Sequence, residues 1–223
     1  MASKIHPFDQ ASIKKNLSSH FEKEKVVLDR SFPEIQQTAD VAWEAKKIIF
    51  QILCKPRNVL KIQEMFSEFQ KIGWSIAWIL PDTVLSKKVA SPEEVLLRKG
   101  PSYFIDQEGQ IYDQLTLFHI DRRVLTSPLF PVTLSSPISL SPTFHREGLP
   151  QILQNRLRDS LLYFRGDIVD RALNHPSFLS KIHLWEVGLL GKKPLSLLQK
   201  IEEMHTIFLN KLLEKLSAED FPL

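Results

Sequence analysis

Three features of this 223-residue sequence predict an α+β fold, with helix-rich N- and C-terminal parts flanking a small, mainly antiparallel sheet. Apolar residues recur every three to four positions through most of the first and last thirds. Between them, Trp74–Leu80 alternates and is rich in aromatic and β-branched side chains, the pattern of a half-buried strand. A second extended pair, Tyr103–Asp106 and Ile111–Tyr112, brackets Gly109 and reads as a hairpin.

The elements follow in order. Asp9 caps a short amphipathic helix with Ile13, Leu17 and Phe21 on one face. Ser31, with Pro33 in the first turn, starts a longer helix. Its apolar face comprises Ile35, Ala39, Ala42, Ala45, Ile48, Ile49, Ile52 and Leu53, and Pro56 ends it. Val59, Ile62, Met65, Phe66, Phe69 and Ile72 mark the next helix, with Gly73 as a left-handed C-cap. The strand after it stops at Pro81-Asp82. Ser91-Pro92-Glu93-Glu94 carries the N-cap, first-turn proline and capping-box glutamate of a short helix that Gly100 closes.

Val124–Pro150 holds five prolines and five serines in 27 residues. It reads as a connection with little helix, because proline interrupts both hydrogen-bonding patterns. Its short runs Phe130/Val132/Leu134 and Ile138/Leu140 fit edge strands or extended coil. Beyond it, Pro150 begins a helix with Leu153, Leu157, Leu161 and Phe164 on one face, ended at Gly166. Asp167 caps a short helix that His175-Pro176 terminates. Ile182–Leu190 fits strand or helix, and Pro194–Leu216 is a long amphipathic helix. The division is then 1–123, a helical segment plus a small α+β unit; 124–150, the connection; and 151–223, mainly helical.

Composition excludes whole classes. With 43% hydrophobic and 25% charged residues the chain is not disordered as a whole. Seven glycines and one cysteine build neither a collagen helix nor a disulfide scaffold. The 29 basic against 26 acidic side chains leave a net charge of +3, a slight leaning to polyanions. The single Cys54 fits a reducing compartment. The N-terminus has no apolar run suited to a secretory signal. The longest uncharged stretch, Val124–His145, contains four prolines, so no membrane span is expected and a soluble, cytoplasmic protein is.

Catalytic signatures are sparse. The sequence lacks a glycine-rich phosphate loop, a Gly-x-Ser-x-Gly elbow, a His-Glu-x-x-His pair and a cysteine cluster, so no cofactor or metal is expected. Two pairs carry the remaining chemistry. His119 and Asp121, two apart, would share one side of a strand, as an acid–base pair requires; His145 and Glu147 repeat the spacing. Both also fit a solvated polar edge. Cys54, at the end of an apolar face, suits a small core residue better than a nucleophile. Five basic pairs, Lys14-Lys15, Lys46-Lys47, Lys87-Lys88, Arg122-Arg123 and Lys192-Lys193, would serve nucleic acid only if they converged on one face.

Two family resemblances follow from local motifs. Asp170-Arg-Ala-Leu-Asn-His-Pro-Ser-Phe178 is similar to the opening helix of ribonuclease III-type domains, but the carboxylate-rich metal signature of that family does not follow it. Ile62–Tyr112 runs helix, aromatic strand, Pro81-Asp-Thr-Val, a charged stretch and Tyr103-Phe-Ile-Asp-Gln-Glu-Gly-Gln-Ile-Tyr. This resembles the junction of the POTRA-like and β domains in the FtsQ/DivIB division proteins. That resemblance covers under a quarter of the chain and implies a divisome scaffold. The family's N-terminal membrane anchor is replaced here by charged helical sequence.

The functional expectation is a non-catalytic protein-interaction protein, such as a chaperone, adaptor or assembly subunit. Its expected interface is the C-terminal helix, where Leu198, Ile201, His205, Phe208 and Leu212 follow the four-three spacing of paired helices, toward a protein partner or a second copy. The alternatives are an enzyme with a dispersed site around His119 and Asp121, a nucleic-acid-binding protein, or the divisome scaffold.

Overall fold

The computed structural model describes residues 10–21, 24–55, 57–82, 90–118, 124–126, 129–140, 149–157 and 162–190. Helix α1 (Gln10–Ser19) leads into three strands, β1 (Val26–Phe32), β2 (Gln37–Trp43) and β3 (Ile48–Ile52). Helix α2 (Val59–Lys71), β4 (Ser75–Pro81), α3 (Pro92–Leu97), β5 (Ser102–Ile105) and β6 (Ile111–Asp113) follow. Then come β7 (Thr116–Phe118), β8 (Val124–Thr126), β9 (Phe130–Pro131) and β10 (Thr133–Ser139). The described chain closes with α4 (Gln151–Arg156), β11 (Leu162–Arg165), α5 (Ile168–Asn174) and α6 (Pro176–Leu190).

The protein is α+β, but its main sheet is neither small nor chiefly antiparallel. Seven strands run in the order β1-β2-β3-β4-β5-β6-β9. β3–β4 and β4–β5 are parallel and the other four pairings antiparallel. Nor are the helices confined to the two ends, because α2 and α3 supply the crossovers that parallel pairing demands. Every residue of β3 is buried, as befits a central strand covered on both faces.

The expected helix over Ser31–Leu53 is instead a three-stranded meander. A 3-10 turn at Pro33–Ile35 joins β1 to β2 and another at Glu44–Lys46 joins β2 to β3. Each turn ends in a left-handed residue, Gln36 at φ 53° and Lys47 at φ 51°, and the two hairpins share one turn design. The expected helix through Phe164 also divides. α4 stops at Arg156, and Leu162–Arg165 is a strand pairing with β10. Leu162 and Phe164 enter one apolar cluster while Tyr163 enters another, a period of two that the leucine spacing hides.

Two apolar layers sandwich the sheet. On one face, Ile62, Met65 and Phe69 of α2 and Leu97 of α3 pack on Ala42, Ile49, Ile76, Trp78 and Phe104. On the other, Ile13, Leu17 and Phe21 from the α1 region and Leu134, Leu162 and Phe164 of the β10–β11 hairpin pack on Val41, Phe50, Ile79 and Tyr103. Val132 and Leu134, inside the proline-rich stretch, are therefore core residues. By compactness, Met1–Leu179 and Ser180–Leu223 form separate units. In the second, Ile182 is buried and Leu184 is 73% exposed. Among the described residues no helix is long and apolar enough to cross a membrane.

Candidate functional site

β2 and β3 pair as Trp43↔Ile48, Ala42↔Ile49 and Val41↔Phe50, and beyond that point side chains take over from the ladder. Ile52 N–H donates to Asp40 Oδ2 at 2.7 Å, and Asp40 N–H donates to Gln51 Oε1 at 3.3 Å. Gln51 Nε2 donates to the Thr38 carbonyl at 3.4 Å. The strands thus fork around two polar side chains that are nearly inaccessible. A buried carboxylate must be paired, and α1 supplies the partners. Gln10 Nε2 lies 2.8 Å and Lys14 Nζ 2.9 Å from Asp40 Oδ1. Lys14 also pairs with Asp29, whose φ of 49° interrupts β1 opposite the fork.

The position of the fork is informative. At β3 the chain changes from hairpin pairing with β2 to parallel pairing with β4 through α2. In open sheets, ligands enter outside the carboxyl ends of strands where the strand order reverses; here the order runs from β1 to β6 without reversal, so the fork marks a change of pairing and not a ligand crevice. Gln51 and Ile52 are at that end of β3, followed by half-buried Cys54 and by Asn58, whose side chain accepts from Leu60 N–H at 2.8 Å to cap α2.

The chemistry available there is narrow. Burial alone would lower the Lys14 ammonium, but hydrogen bonds to Asp29 and Asp40 outweigh it and hold its pKa above the ordinary value. A lysine kept charged is neither a base nor an amine nucleophile. Asp40 already accepts from three donors. Among the described residues no three His, Cys, Asp or Glu side chains are grouped to hold a metal ion.

No family model, curated protein or solved structure matches this chain.

The second feature is a groove of about 490 Å³ between α2 and α3. Ile62, Phe66, Leu96 and Leu97 form its apolar lining, completed by Gly100 and by Gln63, Ser67 and Gln70 of α2. Those three polar residues sit at i, i+4 and i+7, so they form one exposed row beside the apolar floor. None of the eight lining residues is charged. Leu60, 71% exposed, precedes Gln63 by three residues on the same side of α2.

A third cluster is wholly internal. Asp113 accepts from Arg98 Nη2 at 3.3 Å, from Arg156 Nη2 at 3.2 and 3.3 Å, and from Ile168 N–H at 3.2 Å. Arg98 and Arg156 also donate to the Ser102 carbonyl, at 2.7 and 3.0 Å. Burial, then the neighbouring Arg156, lowers the Arg98 pKa to about 10. For Arg156 the attraction of Asp113 overcomes burial and raises it. This knot joins α3, β5, β6, α4 and α5.

Asp167 borders it, accepting from Tyr103 OH at 3.0 Å, Phe164 N–H at 2.9 Å and Asp170 N–H at 2.9 Å. Burial, then the Asp113 charge, pushes its pKa up to about 6. Between about pH 4 and about 6 the folded protein therefore holds a proton that the unfolded chain has released. Its contribution to stability falls as pH rises through that window and is level above it. Chemical unfolding of the wild type and of Asp167→Asn at several pH values should show this slope only in the wild type.

The sites expected from sequence fare unevenly. His119, Asp121, His145 and Glu147 lie outside the described residues. So do Leu198, Ile201, His205, Phe208 and Leu212, and three of the five basic pairs. Cys54 packs against the core beside the fork. Lys14-Lys15 offers an outside anion little beyond exposed Lys15, since Lys14 is engaged by Asp29 and Asp40. Lys46-Lys47 is exposed at the β2–β3 turn.

Proposed function

We propose that this protein acts by binding rather than catalysis, taking an uncharged apolar segment of a protein partner into the α2–α3 groove. The groove itself carries the reading. A space of about 490 Å³ accommodates two or three large apolar side chains, and the Gln63–Ser67–Gln70 row can hydrogen-bond the backbone that presents them. An uncharged lining favours uncharged anchors, because a charge placed there would lose its hydration without gaining a partner.

Ser67→Arg tests it. Ser67 is exposed, so an arginine there can keep its guanidinium in water and change stability by no more than about 0.5 kcal/mol while its stem and charge obstruct entry to the groove. In native-lysate pull-downs with crosslinking, a partner crosslinked to α2 and α3 in the wild type should be lost from Ser67→Arg and kept by a Lys15→Ala control. Equal capture by all three forms would remove the groove from the mechanism.

A further inference from the structure

We draw no further inference here: the strongest candidate, a defined occupant for the α2–α3 groove, rests on an unpartnered apolar face, and nothing in the structure shows what covers it.

Discussion

Asp113→Ala should cost about 3–5 kcal/mol and leave the protein close to unfolding, because it strands two buried guanidinium groups at once. The side chains of Asp113, Arg98 and Arg156 are 1%, 2% and 5% exposed, so both guanidinium groups lose their balancing carboxylate away from bulk water. The substitution also removes the acceptor of the Ile168 N–H, loosening the start of α5. With a total stability of about 5–15 kcal/mol typical of a domain, the loss is a large share of the whole. Urea unfolding followed by near-ultraviolet circular dichroism measures it. The cause can be separated from simple cavity formation. A triple variant, Arg98→Met, Asp113→Leu and Arg156→Met, removes all three charges and should recover much of the stability. A cost under about 1 kcal/mol for Asp113→Ala would mean that the two arginines find other partners.

None of these arginines stands out in the sequence, and the reason is physical. Arg98 follows a short capped helix and Arg156 follows a leucine-rich run, positions where a basic residue ordinarily points to solvent and favours the helix dipole. Only the tertiary arrangement, bringing the end of α3 and the end of α4 to one aspartate on β6, makes them internal. Local chemistry, by contrast, was readable. Ser91 caps α3 and Asp167 caps α5 through their side chains, and Gly73 takes φ +77° after α2, all set by residues within a few positions.

The meander shows where periodicity misleads. In Ala39–Trp43 and Ile48–Leu53 nearly every side chain is buried, so the alternation that identifies a half-exposed strand is absent. What remains, apolar residues at three- and four-residue spacing, fits a helix equally well. Two polar residues held the missing signal. On a helix, Asp40 and Gln51 would simply face water. On a central strand each is a polar group inside an apolar run, which is stable only with internal partners. The fork at Asp40 and Gln51 is therefore visible in sequence only once the strands are recognised. The groove was half visible: Ile62 and Phe66 mark the face of α2, but its second wall belongs to α3, 30 residues and a strand away.

Gly166→Ala should be far more damaging than Gly73→Ala, although both glycines have positive φ. At Gly73, φ is +77° and nothing lies within 4 Å of an added Cβ. Only the left-handed backbone opposes alanine there, a cost of about 1–2 kcal/mol. At Gly166, φ is +87° and an added Cβ would stand 2.6 Å from the Pro131 carbonyl oxygen. The obstacle is backbone, so no side-chain rotation relieves it. The glycine is also fixed by its own hydrogen bonds, its N–H donating to Asp170 Oδ2 at 2.7 Å and its carbonyl accepting from Arg171 Nε at 2.6 Å. Moving it would disturb the joint between β11 and α5, where Asp167 is anchored. Adding an overpacking cost of about 1–3 kcal/mol gives roughly 2–5 kcal/mol in all for Gly166→Ala. Parallel urea unfolding of the two variants should rank Gly166→Ala as clearly less stable. Equal losses would show that Pro131 withdraws at little cost, and that the contact between β9 and the β11–α5 turn is loose rather than a fixed point of the fold.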